Sequence, residues 1–372
     1  MPNESISITI LMSVYNSQKY IEQSIISILD QTFVNFEFII INDGSTDSSF
    51  EKIKKFNDKR ISVINNKANI GLSASLNKGI RLAKGKYIAR MDADDISLPD
   101  RLEKQYKFME QNENIGILGT GYVLIDKRGK ELGEFIYPVD PIEIRWKLLT
   151  RPIFPHPTVM LRKAILLENN LFYNEEYSAT QDYELWSKII NYTNGINLPE
   201  ALLKYRNHEN SKSKIDFNQQ DLLKERVSAQ LLNQLSPFLK ITNYESAIIC
   251  KIINLDFSSL DEKNLERVYL IFFSILNTFN KKYCSSHYLK NNWHNHCLLP
   301  LITKIEKLLI NKPWNYKNQQ IIYIKYLFKL SFFNISMWFK HLFLEKRRLL
   351  YYPYWLYEII KYFFNNHYKL KL

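Results

Sequence analysis

The strongest constraint on the fold is a hydrophobic period that switches back and forth between two values over the first 120 residues. Ile6 to Val14 is a β-branched apolar run of the kind that forms a buried strand. Lys19 to Asp30 sets Ile21, Ile25, Ile28 and Leu29 on one helical stripe. Phe36 to Asn42 reads as a second strand, ended by the turn-forming Asp43-Gly44-Ser45. A short helix over Asp47–Asn57 and a third strand over Ile61–Ile64 come next. A helix over Ser73–Lys84, closed by Gly85 as a C-cap, then leads into a fourth strand over Lys86–Met91. Ser97 to Leu102 opens another helix, with Pro99 near its first turn and Asp100 favourable to its dipole. Strands alternating with helices predict an α/β fold with a mostly parallel sheet covered on both faces. Ligands of such sheets bind at the carboxyl ends of the strands.

The pattern changes after Gly116. Runs broken by Gly119, Gly121, Gly129 and Gly133 predict a strand pair with turns, and Thr158–Leu161 and Ile196–Leu198 predict further strands around a helix near Asp182–Asn191. Beyond about residue 215, helical patterns rich in Asn and Lys take over. The polar stretch from Asn207 to Asn218 is the expected boundary, giving an α/β domain over 1–212 and a mainly helical region over 213–372. Charge divides at the same place. Residues 1–200 carry 24 Lys+Arg against 26 Asp+Glu, while 201–372 carry 26 against 12, so the whole +12 excess lies in the second part.

A hydrophobic content of 46% with 24% charged residues excludes a disordered chain. The run Val268–Leu276 is too short to span a membrane and reads as a buried helix. The N-terminus lacks the basic start and apolar stretch of a signal peptide, so a cytoplasmic protein is expected. Cys250, Cys284 and Cys297 are too few for a disulfide framework.

Acidic residues fall where strand ends converge. Asp43 follows the second strand, Asp92, Asp94 and Asp95 follow the fourth, and Asp182 starts a predicted helix. A lone Asp-x-Asp reads equally well as a solvated acidic turn. Its position after a buried apolar strand favours a site instead. Hard divalent cations take oxygen ligands, with Mg²⁺ commonly bound by one or two carboxylates and substrate phosphates.

Ser13 to Asn16, Tyr20 to Thr32, Ile41 to Asp47, Asn69 to Leu72, Asn77 to Gly79, Gly85 to Asp95 and Pro99 to Leu102 form an ordered series of motifs. Together they resemble the opening of glycosyltransferase family 2. Pro155 to Arg162 and Gln181 to Trp186 continue the resemblance, which covers roughly residues 6 to 207. It implies a GT-A fold, a nucleoside-diphosphate sugar donor (UDP-linked favoured) and transfer with inversion. It further implies donor binding by Val14, Tyr15, Asn16, Asp43, Asn69, Gly71, Asp92 and Ala93. A divalent metal, Mn²⁺ or Mg²⁺, is implied on Asp94 and Asp92, with His156 as a further candidate for metal or diphosphate. Asp95 either ligates or caps the following helix. Asp182 matches the catalytic base, and Trp186 and Gln181 are candidates for acceptor binding. Ser45 and Asp47 are expected to cap the next helix, and Arg90 and Arg162 either neutralise phosphate or brace the strands. Gln181 departs from the acidic residue of many relatives, and the Gln-x-x-Arg-Trp motif of processive synthases is missing, which favours transfer of a single sugar. The alternative enzyme is a nucleotidyltransferase, although Tyr15 to Lys19 stands where such enzymes carry a Gly-rich basic loop.

Residues 218–372 lie outside the resemblance. Cys284-x-x-His287 with His294-x-His296-Cys297 fits no common zinc-finger spacing. Gln320–Phe343 and Glu345–Tyr357 mix basic residues with aromatics, which suits an anionic membrane surface or, equally, the solvated face of a helical domain. No RNA-binding motif appears, and no nucleic-acid partner is expected. The resemblance and this basic region together point to bacterial surface polysaccharide, with a saccharide or polyprenyl-diphosphate-linked acceptor met at the inner face of the membrane.

Overall fold

The computed structural model describes residues 5–208, 217–254, 256 and 265–284. One sheet orders its strands β3-β2-β1-β4-β8-β6-β9-β5, with β7 paired to β6 outside that path. The first half holds β1 (Ile8–Val14), β2 (Phe36–Asn42), β3 (Ile61–Asn65) and β4 (Tyr87–Met91), all parallel. Crossover helices α1 (Ile21–Leu29), α2 (Ser49–Lys54) and α3 (Leu72–Leu82) connect them. Buried on both faces, β1, β2 and β4 are almost continuously apolar. β3 is the edge and is largely exposed.

The second half is mixed. β5 (Ile96–Ser97) and α4 (Arg101–Gln111) lead into β6 (Ile115–Ile125), which pairs with the hairpin strand β7 (Glu131–Phe135). After α5 (Pro141–Leu148) and a 3₁₀ turn at His156–Thr158, β8 (Met160–Arg162) runs antiparallel to both β4 and β6, joining the two halves. α6 (Lys163–Glu168), α7 (Gln181–Ile189) and β9 (Asn194–Arg206) complete it, with β9 parallel to β6. Two cores result. One packs Ile39, Leu76, Phe154, Tyr183 and Trp186 on the α3–α7 face, and the other packs Ile10, Ile25, Phe38, Leu102 and Met109 on the α1–α4 face.

Local corrections have physical causes. α3 ends at Ala83, so Gly85 is not its C-cap. A Cβ on Gly85 would lie 2.4 Å from Thr9 N, which makes glycine a condition for β4 to approach β1. The first residues expected in a strand near Thr158 form the 3₁₀ turn, because Pro155 and Pro157 fix φ and donate no N–H. The strand seen in sequence as Ile196–Leu198 extends to Arg206, since partly polar positions alternate along its exposed face.

The polar stretch after Asn207 leads to three helices, α8 (Phe217–Leu235), α9 (Asn243–Ile253) and α10 (Leu265–Tyr283). They pack on the α/β fold: Val227 joins the α3–α7 core, the Tyr183 hydroxyl lies 3.1 Å from Ser228 Oγ, and Trp146 packs on Phe272 and Phe279. The compact unit that holds them runs from Met1 to Leu301. Val268, Ile271, Phe272 and Ile275 are buried in α10, as their sequence predicts. No helix among the described residues is long and apolar enough to cross a membrane. Cys284 is buried at the end of α10, while His287, His294, His296, Cys297 and the basic aromatic segments beyond Gln320 lie outside the described residues.

Gly85→Ala is expected to lower stability by about 1–3 kcal/mol through overpacking of backbone on backbone. Denaturant unfolding monitored by circular dichroism measures it, and an unchanged midpoint would contradict the close approach of β4 to β1.

Candidate active site

The loops after β1 and β2 clamp each other at the carboxyl rim. Asn16, at φ +50°, accepts Thr46 N–H on Oδ1 at 2.9 Å, and its own N–H donates to Ser45 Oγ. Asp47 accepts Gln18 N–H at 3.1 Å and Ser49 N–H at 2.9 Å, so it binds the facing loop as well as the start of α2. Gly44 takes φ +69°, and a Cβ there would sit 2.5 Å from the Ala68 carbonyl carbon. That contact draws the turn at Asn69–Gly71 against the end of β2. Asp43, almost fully buried, then accepts from Ile70 N–H, Gly71 N–H and Asn66 Nδ2 at 2.9–3.0 Å. Tyr15, which follows Val14 at the end of β1, and Ile70, whose N–H Asp43 accepts, are each about half exposed. Val14 and Ala93 are core residues instead: both side chains are buried, and the Val14 carbonyl accepts Asp43 N–H. They shape the rim without presenting side chains to a donor.

The Asp-x-Asp turn sits over three buried arginines. Arg90 donates through Nη2 to Asp92 Oδ1 and through Nη1 to the Met91 carbonyl. Arg101 Nη2 donates to the Arg90 carbonyl at 2.7 Å. Arg206, from the end of β9, donates Nε–H to the Asp94 carbonyl at 2.8 Å and Nη2–H to Gln23 Oε1, with its guanidinium 4.5 Å over the Tyr20 ring. Asp95 does not cap α4, whose N-cap is Asp100. It is buried, accepting Arg206 N–H on Oδ1 at 2.8 Å and Ser24 Oγ–H on its carbonyl at 2.7 Å. Burial, reinforced by the charges of Asp94 and Asp92, pushes its carboxyl well above the usual range. Arg162 braces the strands, donating to the carbonyls of Ile115, Met109 and Asn112.

His208 is the site residue that sequence reasoning missed. Its Nε2 lies 2.8 Å from Asp94 Oδ2, and its ring packs 5.2 Å from Tyr20. It stood in a polar stretch read as a linker. Carrying the alternation of β9 through Tyr205 would have placed it on the rim. His156, the histidine expected at the metal, instead places Nε2 2.8 Å from the Tyr173 hydroxyl. Among the described residues no three His, Cys, Asp or Glu side chains form a closed metal site. Asp94 and His208 do offer one carboxylate oxygen and one imidazole nitrogen on a partly exposed rim, a donor set that suits Mn²⁺ with further oxygens from a diphosphate.

Asp182 stands in the first turn of α7, partly buried, after Thr180 at φ +57°. Desolvation raises its pKa, against backbone N–H groups of the helix start, and the charge of Asp92 raises it further while Arg90 opposes. These couplings bring Asp182, Asp92 and Arg90 into one electrostatic neighbourhood, with the Tyr173 phenol in the same field. Trp186 does not floor an acceptor site. It is fully buried, its indole N–H donates to the Phe154 carbonyl at 3.2 Å, and its ring underlies His156 and Tyr173. The pull of core packing on a large apolar ring one turn below Asp182 explains the difference. Gln181 is buried too, with Oε1 making no hydrogen bond among the described residues.

Residues 9–168 match the family described as Glycosyl transferase family 2. The chain is 36% identical over 253 residues to the O-antigen biosynthesis glycosyltransferase WbnJ of Escherichia coli, covering 63% of this chain and 95% of that protein. It is 34% identical over 271 residues to a glycosyltransferase of Haemophilus influenzae, covering 68% of this chain and 82% of the relative. This chain belongs to glycosyltransferase family 2. Its fold also resembles that of Staphylococcus aureus TarS, solved with UDP-GlcNAc, at a TM-score of 0.52 and 18% identity over 80% of this chain and 81% of that one. The transferase therefore has a GT-A fold.

Arg206→Ala in this glycosyltransferase is expected to cost about 2–4 kcal/mol of stability, because it strips hydrogen bonds from the Asp94 carbonyl and Gln23 and empties the space over Tyr20. Arg206→Lys should recover only part of the loss. Urea unfolding of both variants measures it, and equal stability of wild type and Arg206→Ala would remove the brace.

Proposed function

We propose that the enzyme moves one sugar, with inversion, from a nucleoside-diphosphate sugar to a hydroxyl of a saccharide or polyprenyl-diphosphate-linked acceptor, the favoured donor being UDP-linked. The observation that carries this reading is the division of the Asp-x-Asp: Asp94 pairs with His208, while Asp92 pairs with Arg90 in the field of Asp182. In this reading Asp94 serves the metal and diphosphate and Asp92 the sugar. Asp43, Tyr15 and the turn at Asn69–Gly71 hold the nucleoside, with Asn16 fixing the loop that carries Tyr15.

Asp94 and His208 would hold a divalent cation, Mn²⁺ or Mg²⁺. When bound, it neutralises charge on the leaving diphosphate. Asp182 accepts the proton of the acceptor hydroxyl as that oxygen bonds to the anomeric carbon and the bond to the diphosphate breaks on the opposite face. General-base help of this kind contributes ~10²–10⁴ in rate. The O-antigen role in the name of WbnJ supports a place in bacterial surface polysaccharide, O-antigen or capsule. In that setting the acceptor is met at the inner face of the cytoplasmic membrane, with the basic C-terminal region on the anionic surface.

Asp182→Asn is expected to lower kcat by about 10²–10⁴ with the fold intact. Transfer at the wild-type rate would overturn the base assignment. Because the Asp182 carboxyl titrates above an ordinary aspartate, the base is lost as pH falls through that raised pKa. The acid limb of kcat should accordingly lie above pH 3.8, the ordinary value for aspartate, and it should vanish in Asp182→Asn. A second measurement concerns the metal. His208→Ala should weaken Mn²⁺ binding by roughly tenfold or more, and His156→Ala should leave it near wild type. Titration calorimetry with Mn²⁺ and UDP separates the two, and the reverse ranking would return the ligand role to His156.

A further inference from the structure

Beneath the proposed base pocket lies a polar set that the transfer chemistry does not use. Asn66, just past β3, is 7% exposed. Its Nδ2 donates to Asp43 Oδ1 at 2.9 Å and to Ser75 Oγ at 3.1 Å, and its Oδ1 accepts from Lys78 Nζ at 2.8 Å. A lysine ammonium only donates. Lys78 therefore determines which end of the amide is oxygen and turns the NH₂ group onto Asp43.

An ionised carboxylate has about four acceptor sites, two on each oxygen. On Asp43, both sites of Oδ1 are taken, by Asn66 Nδ2 at 2.9 Å and by Ile70 N–H at 3.0 Å. One site of Oδ2 is taken by Gly71 N–H at 3.0 Å, an N–H shared with Asn69 Oδ1. A single acceptor site is left for a ligand.

We propose that Asn66, oriented by Lys78, is a specificity-determining residue that restricts Asp43 to one nucleobase N–H, so that the donor carries uracil or thymine and not guanine. This rests on the reading that Asp43 faces the base. Uracil and thymine offer one imide N3–H. Guanine offers N1–H and its 2-amino group side by side and needs both carboxylate oxygens. With Oδ1 saturated, one guanine donor is buried without a partner, at a cost of roughly ten- to hundredfold in affinity. Adenine and cytosine turn a ring-nitrogen lone pair toward the carboxylate beside their amino group, which sets acceptor against acceptor.

The test is calorimetric titration of the full chain with UDP, dTDP, GDP and CDP in the presence of Mn²⁺, on wild type, Asn66→Ala and Lys78→Met. In wild type, UDP and dTDP should bind at least about tenfold more tightly than GDP and CDP. Asn66→Ala opens a site on Oδ1 and should narrow the UDP-to-GDP ratio by about tenfold. Lys78→Met frees the amide to turn and should narrow the ratio less; it supplies the answer if melting curves show that Asn66→Ala does not fold. General loosening of the pocket would weaken both nucleotides and leave the ratio unmoved. GDP binding as tightly as UDP in wild type, or an unchanged ratio in a folded variant, overturns the proposal while the nucleotide-sugar reading stands. Binding of none of the four nucleotides overturns both.

Discussion

Four aspartates on or beneath one rim of a sheet repel one another, and the rest of the site depends on how that repulsion is offset. The compensation comes from beneath. Arg90 holds Asp92, Arg101 holds the Arg90 backbone, and Arg206 holds the Asp94 backbone from a strand more than a hundred residues away. Buried guanidinium groups are expensive to desolvate, so each must be hydrogen-bonded on several sides. That requirement ties β4, α4, α1 and the end of β9 into one block. Asp95, the most deeply buried of the acids at this turn, feels the repulsion most: burial and the charges of Asp94 and Asp92 push its carboxyl well above the usual aspartate range.

The same bracing divides labour along the turn. Neighbouring carboxylates of one short motif meet different partners, a buried arginine for Asp92 and a rim histidine for Asp94. Asp182 enters from the other core, on the first turn of a helix whose next turn is anchored by Trp186. The position of the proposed base is thus set by core packing, and its basicity by desolvation. The proposed nucleotide end is organised on the opposite principle, with backbone N–H groups and one amide taking up most of the acceptor capacity of Asp43.

Much of the parallel half was legible from the chain alone. β1, β2 and β4 are buried on both faces, so their runs are almost continuously apolar and their ends mark the positions of Asp43 and Asp92. The mixed second half was harder. β9 is interrupted by the exposed Pro199 and Glu200 and interleaves Asn197, Lys204 and Arg206 with its apolar residues, so only Ile196–Leu198 stood out and His208 stayed hidden beyond its end. Trp186, expected at an acceptor site and found buried in the core, was misread for a related reason. Spacing along a helix or turn places a residue near a site, but it does not say whether the side chain points out of the core or into it.

The sequence by itself determined the parallel α/β half, the family, and the identity of Asp43, Asp92, Asp94 and Asp182 as the acids to consider, because hydrophobic period and ordered motifs are local properties of the chain. Only the tertiary structure decided the partners: His208 with Asp94, Arg90 with Asp92, Asn66 and Lys78 behind Asp43, Tyr173 with His156. Those pairs join residues on different strands and helices, and no local pattern encodes which of many charged and polar side chains a folded sheet will bring within hydrogen-bonding distance.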